Sequence, residues 1–132
     1  MDEGPSERII EQRLRNRAIE ALGVLAEGDV GVRAVGTGDY VNGFFDVIDD
    51  DVSSEWRNWS TLTPAEVSEL DRVQQLLLDP CARTPQVCSD DEFIASGWPE
   101  RVKPVAAGAV ALMRQRGLFH EDREEESPRN GV

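Results

Sequence analysis

Residues 62–79, LTPAEVSELDRVQQLLLD, carry the signals that open a helix in the order in which a helix needs them. Thr63 stands at an N-cap position, Pro64 falls at the first helical position where its missing N–H is harmless, and Glu66 completes a capping box with Thr63. Leu62 and Val67 flank the cap as a hydrophobic staple. Behind it Val67, Leu70, Val73 and Leu77 recur at three- and four-residue steps, which sets one apolar stripe facing inward. Pro80 is expected to weaken or stop this helix, because proline removes a backbone donor and crowds the preceding turn.

Toward the C-terminus the same grammar repeats. In CSDDEFIASGWPE, residues 88–100, Ser89 and Glu92 form a second capping box, Phe93 is the first inward residue, and Gly97 closes a short helix. Pro99 opens the last helix, with Trp98 packed at its entry. Val102, Val105, Ala106, Ala109, Val110 and Met113 face one way, while Ala107, Gly108 and Ala111 leave the other sides nearly bare. Such a helix suits a central place in a bundle. Gly117 ends it, and Pro104 predicts a bend near its first turn.

Toward the N-terminus, SERIIEQRLRNRAIEALGVLAEG places Ile10, Leu14, Ala18, Ala21, Leu22 and Leu25 on one face, with Ser6 as cap and Gly28 as terminator. Glu11 and Arg15 stand in the favourable i, i+4 order for an ion pair. The glycine-rich stretch after it predicts a short helix over 30–35 and another from Tyr40 to Ile48, capped by Asp29 and Asp39, with Tyr40, Phe44 and Ile48 in one row and Val41 and Phe45 beside it. A hairpin about Asn42-Gly43 is the competing reading, but its apolar arms are short. The pattern therefore predicts an all-α fold, an irregular bundle of four to six helices with a long amphipathic N-terminal helix and a central C-terminal helix. It forms a single domain over residues 1–119, followed by an acidic, apolar-poor tail at 120–132 that is expected to be mobile.

The 132 residues carry 26 acids against 14 Lys and Arg, a net charge of −12. That balance argues against binding free nucleic acid, which needs clustered cations, and against an anionic membrane surface. The longest apolar run, PVAAGAVALM at 104–113, is too short to span a bilayer. The acidic N-terminus lacks the features of a secretory signal, so the protein is expected to be cytoplasmic. Cys81 and Cys88 lack a CxxC spacing, and in a reducing compartment they are expected to remain small apolar side chains rather than a disulfide.

The charge is uneven. Residues 27–58 hold eight acids and two arginines, a local balance of −6 and half of the total. Within it, FFDVIDDDVSSEWRNW at 44–59 sets aromatic residues against three consecutive aspartates. Asp46, Asp49 and Asp50 could share a helical face and offer hard oxygen ligands to Mg²⁺ or Ca²⁺, but the calcium-loop pattern is missing and no metal or cofactor is expected. Aspartates at a helix C-terminus are repelled by its dipole, so local stability does not account for them. A solvated acidic loop, offset by Arg13, Arg15 and Arg17, is one account. The other is a recognition surface of Asp46, Asp49, Asp50, Asp51 and Glu55, with Trp56 or Trp59 as an apolar anchor for a basic protein partner.

Catalysis has little to work with. His120 is the lone histidine and stands at the edge of the tail, which removes the usual general base from the body. GTGDYVNG, residues 36–43, has neither the glycine spacing nor the flanking strand of a phosphate loop. In size and charge the chain is similar to small acidic bacterial immunity and antitoxin proteins, which neutralise basic toxins by surface complementarity. That likeness covers no motif; it implies a binding role and assigns no residues. The expected function is a non-enzymatic, acidic, helical module that docks a basic protein surface. The competing readings are a small carboxylate enzyme or a domain binding a divalent ion through Asp46 and Asp50, and a structural domain that homodimerises through its 102–113 helix.

Overall fold

The computed structural model describes residues 6–48, 55–83 and 89–125, with the backbone alone at residues 55 and 79–83. Among these the chain is all-α, with six α-helices: α1 Glu7–Leu25, α2 Asp29–Val35, α3 Thr37–Phe45, α4 Pro64–Arg83, α5 Asp90–Ala95 and α6 Trp98–Arg116. A 3-10 turn, Glu55–Asn58, stands between α3 and α4. No helix among the described residues is long and apolar enough to cross a membrane.

Both capping boxes form. Thr63 Oγ1 accepts from the Glu66 amide at 3.1 Å while Glu66 Oε1 accepts from the Thr63 amide at 3.1 Å, and Ser89 and Glu92 repeat the exchange at 3.1 and 3.0 Å. Helix α4 buries Leu70, Val73 and Leu77, the expected stripe. It continues through Pro80 to Arg83, because a proline deletes only its own donor and the neighbouring backbone bonds can persist for another turn.

The core is the space between α1, α4 and α6. Helix α6 runs through the middle, packing most extensively on α1 and α4 and touching α5 and α2. Its small residues Ala106 and Ala109 are fully buried, which lets neighbouring helices come close. Ala107, Gly108 and Ala111 face solvent, so the bare side of α6 is an outer surface and not a second packing face. The apolar stripe at 102–113 is covered within one chain. Tyr40 and Phe44 of α3 are buried together with Ile48 just beyond its end, and the Tyr40 ring meets Phe93 of α5 edge-on at 5.8 Å.

Two local expectations shift. Helix α3 starts at Thr37 and not near Asp39; its first donors are met from another element, since Asp90 Oδ1 accepts from the Thr37 amide at 2.9 Å and its hydroxyl at 2.7 Å. Those hydrogen bonds hold the Asp90 carboxyl below its ordinary value. Gly28 precedes α2 rather than ending α1, which stops at Ala26. Gly31 of α2 lies directly on the Val24 carbonyl, where no Cβ would fit.

The largest difference concerns α1. Ala18, Leu22 and Leu25 are buried as expected and Ile19 joins them, but Ile10 is 44% exposed, and Gln12, Arg15 and Asn16 occupy the inner face of its first half. What faces them explains this. Residues 118–125, which include the first six residues of the 120–132 tail expected to be mobile, lie along α1, and the C-terminal end of α6 lies beside them, so this half of α1 meets backbone carbonyls together with the Phe119 ring. Arg15 donates to Gly117 O at 2.7 Å and to Met113 O at 3.0 Å, the latter also accepting from the Gly117 amide at 3.3 Å, so its guanidinium ties off the C-terminal end of α6. Asn16 donates to Phe119 O at 2.8 Å and accepts from the Phe119 amide at 3.0 Å. Gln12 donates to His120 O and Arg123 O and accepts from the Glu125 amide at 2.7 Å.

Arg15 also grips Glu66 with two nitrogens, at 3.4 and 2.9 Å, and Arg116 reaches Glu66 Oε1 at 2.7 Å. The ion pair expected between Glu11 and Arg15 is thereby replaced; Glu11 Oε1 accepts instead from the Ser60 amide and hydroxyl. The Phe119 ring is buried with the guanidiniums of Arg8, Arg15 and Arg116 at 5.1, 5.3 and 6.0 Å from its centre.

Candidate functional site

The acidic stretch begins as α3 ends. Asp46 is the C-cap, its amide donating to Asn42 O at 2.7 Å, which puts its carboxylate at the negative end of the helix dipole. It is exposed and, among the described residues, enters no ion pair or side-chain hydrogen bond. Ile48 turns back into the core, bonding its amide to Phe44 O at 2.8 Å. Asp49, Asp50 and Asp51 lie outside the described residues, and of Glu55 only the backbone is described, as the first residue of the 3-10 turn.

Trp56 lies within that turn and Trp59 follows directly after it. Trp56 is 2% exposed and belongs to the core; Trp59 is partly buried and packs against it. Trp56 is therefore covered in this structure, and Trp59 keeps an accessible part. The residue that sequence reasoning passed over is Arg57. Its guanidinium lies 4.4 Å from the centre of the Trp56 ring, and Nη2 donates to Asp71 Oδ1 and Gln74 Oε1 of α4, both at 2.6 Å. An arginine beside an aromatic is too common a pair for its sequence to announce this tether.

Asp46 stands on the rim of an open groove of about 460 Å³ between α1 and α3. Leu14, Ala21 and Val24 of α1 and Val47 give it an apolar floor, while Arg17 and Glu20 share the rim with Asp46. Gly43 borders it facing open space, since a Cβ there would meet nothing within 4 Å. Arg13, Arg15 and Arg17, expected to offset the aspartates, divide their work. Arg15 serves Glu66, Arg13 donates to Glu121 O at 2.7 Å and lies 3.5 Å from Asp122, and Arg17 alone faces the groove.

Other acids have structural employment. Asp90 serves α3, Glu92 closes its own capping box, and Asp91 pairs with Arg33 at 2.6 Å. Among the described residues no three His, Cys, Asp or Glu side chains gather as metal ligands; the pair Asp46 and Asp50, offered for a divalent ion, falls partly outside them, as do the side chains of Cys81 and Cys88. With an apolar floor and the carboxylates of Asp46 and Glu20 beside Arg17 on its rim, the groove can bind by shape and charge. No family model matches the chain, and comparison with curated proteins and with solved structures finds no match either.

Proposed function

We propose that the chain is a non-enzymatic interaction module that docks a basic protein surface at the groove between α1 and α3. The observation that carries this reading is Asp46, an exposed carboxylate with no structural partner among the described residues, held at an unfavourable helix end beside an open apolar floor. The charge of −12 supports it, since carboxylates around such a floor speed the capture of a cationic partner. Asp49, Asp50 and Asp51 follow Asp46 directly and extend the same charge in sequence. A basic toxin, neutralised in the cytoplasm in the manner of immunity and antitoxin proteins, is the class of partner that this chemistry suits.

The test starts from a basic protein captured at low salt and measures its affinity for the purified chain. Binding should fall steeply with salt, weaken when Asp46 is changed to asparagine, and weaken again in Asp49→Asn/Asp50→Asn/Asp51→Asn. Gly43→Leu should fill the groove and block docking while leaving the helix intact. Affinity indifferent both to salt and to Gly43→Leu would sink the proposal.

A further inference from the structure

Helix α1 carries two neighbouring seams. Arg15, Ala18, Leu22 and Leu25 follow a 3-4-3 spacing and are buried within the bundle. Leu14, Arg17, Ala21 and Val24 repeat that spacing one residue back, and all four line the open groove, together with Gly43, Asp46 and Val47. A 3-4-3 spacing is the pattern on which one helix receives another, each side chain entering a hole between four of its neighbour's. From Leu14 to Val24 the outer seam runs about 15 Å, close to three helical turns. Its walls are α1 and α3, whose backbone groups are bonded within the helices, so the groove offers no row of free N–H and C=O groups with which an extended chain could pair. One charge interrupts the seam. Arg17 is exposed, and neither it nor Glu20 enters an ion pair among the described residues. A single charged residue in an otherwise apolar seam sets register and partner, because any other alignment leaves it against apolar side chains.

We propose that the element of the basic partner which enters this groove is an amphipathic helix of about three turns, carrying one carboxylate in its apolar stripe. The stripe lies on Leu14, Ala21, Val24 and Val47, its carboxylate meets Arg17, and lysines or arginines on its flanks meet Asp46 and Glu20. The inference rests on the docking reading given above and goes beyond it by naming the element and the order of its charges. Charge complementarity selects this occupant. A uniformly basic segment would set a cation against Arg17, whereas a basic helix with one acid in the matching place satisfies Arg17, Glu20 and Asp46 together. A second copy of the chain, itself at −12, is disfavoured by like charge.

Synthetic peptides titrated against the full chain at low salt test it. Two peptides of about 15 residues share one composition of leucine, lysine and a single glutamate. The ordered one sets its leucines at 3-4-3 spacing with the glutamate in a central seam position; the scrambled one forms no apolar stripe. The ordered peptide should bind at least about tenfold more tightly and shift the methyl resonances of Val24 and Val47, leaving those of the buried Leu70 and Leu77 in place. Equal affinity, or no shift at Val24 and Val47, overturns the proposal. A third peptide replaces the glutamate by lysine. Arg17→Glu should move the ratio of the two affinities toward the lysine peptide by about tenfold, while Arg72→Glu, the same change of charge at an exposed position of α4, should not. An unmoved ratio, or an equal move in both variants, also overturns it. If circular dichroism shows Arg17→Glu unfolded, Arg17→Gln takes its place with the same direction expected. A basic protein that docks with the salt and Gly43→Leu dependence given above, while ordered and scrambled peptides bind alike, would keep the docking reading and remove the helix; loss of that dependence removes both.

Discussion

Arg15 Nη2 lies 2.9 Å from Glu66 Oε2, and both side chains are sealed from solvent, at 0% and 1% exposure. Glu66 thereby does two tasks: it closes the capping box that starts α4, and it balances the cation that caps the end of α6. Removing one partner of a buried pair leaves an uncompensated charge, so Glu66→Gln should destabilise the fold by about 3–5 kcal/mol, read from urea unfolding at neutral pH. Burial alone would raise the Glu66 carboxyl, but the hydrogen bond and charge of Arg15, the Thr63 amide and Arg116 together hold it below its ordinary 4.5. A carboxyl lowered in the folded state stabilises above its ordinary value and loses that contribution as pH falls through the folded one. The urea midpoint should accordingly drop below pH 4.5, and Glu66→Gln should remove this part of the acid sensitivity.

Residues 118–125 form a strap along the polar face of α1, and this seat makes a residue-specific prediction. In hydrogen exchange the amides of Phe119 and Glu125, which bond to Asn16 and Gln12, should be protected well beyond those of solvent-facing residues such as Glu124. Asn16→Ala should release the first and Gln12→Ala the second, with the amides of α4 unchanged. Equal and rapid exchange of all amides from 119 to 125 in the wild-type chain would show that the strap is not seated.

Tyr40 is 1% exposed, and its hydroxyl has no hydrogen-bond partner among the described residues. Burial, with the charges of Asp29 and Glu100 behind it, pushes the phenol far above its ordinary 10. A buried hydroxyl without a partner costs about 1–3 kcal/mol, so Tyr40→Phe should leave stability unchanged or raise it by about 1 kcal/mol. Because the phenol is raised in the folded state, its contribution is intact below pH 10 and falls as pH rises further, when the unfolded chain ionises first. Tyr40→Phe should flatten that alkaline decline in the urea midpoint.

Ser89 caps a helix of only six residues, so the cap is a large share of what holds α5 in place. Ser89→Ala should cost about 1 kcal/mol of global stability by thermal unfolding. Because Asp90 serves α3 from the same turn, exchange of the Thr37 amide should rise with it.

The fold was legible where apolar spacing and local caps agree. Both capping boxes, the stripe of α4, the row of Tyr40, Phe44 and Ile48, and the central place of α6 follow from near neighbours in sequence. The first half of α1 was not, because its burial is polar. Gln12, Arg15 and Asn16 look like a solvated face until residues 113–125 supply the carbonyls they bond, and periodicity counts only apolar side chains. Asp90 capping α3 is hidden for the same reason, since the donor and the acceptor stand 53 residues apart. At the acidic stretch the sequence offered Asp46, Asp49, Asp50, Asp51, Glu55, Trp56 and Trp59 as a surface but gave no sign of the groove, which is formed where Gly43 of α3 passes Leu14 and Ala21 of α1.

The seat on α1 also sets a schedule for synthesis. Gln12, Arg15 and Asn16 leave the ribosome 108, 102 and 103 residues ahead of the His120, Gly117 and Phe119 carbonyls they bond, a wait of roughly 5–20 s at ordinary elongation rates. Throughout that interval Gln12 and Asn16 have only water in place of those carbonyls, while Arg15 can pair with Glu66 once α4 has emerged. This face of α1 can therefore close only once residues 117–125 have emerged, and a chain released before them lacks the carbonyls that it holds.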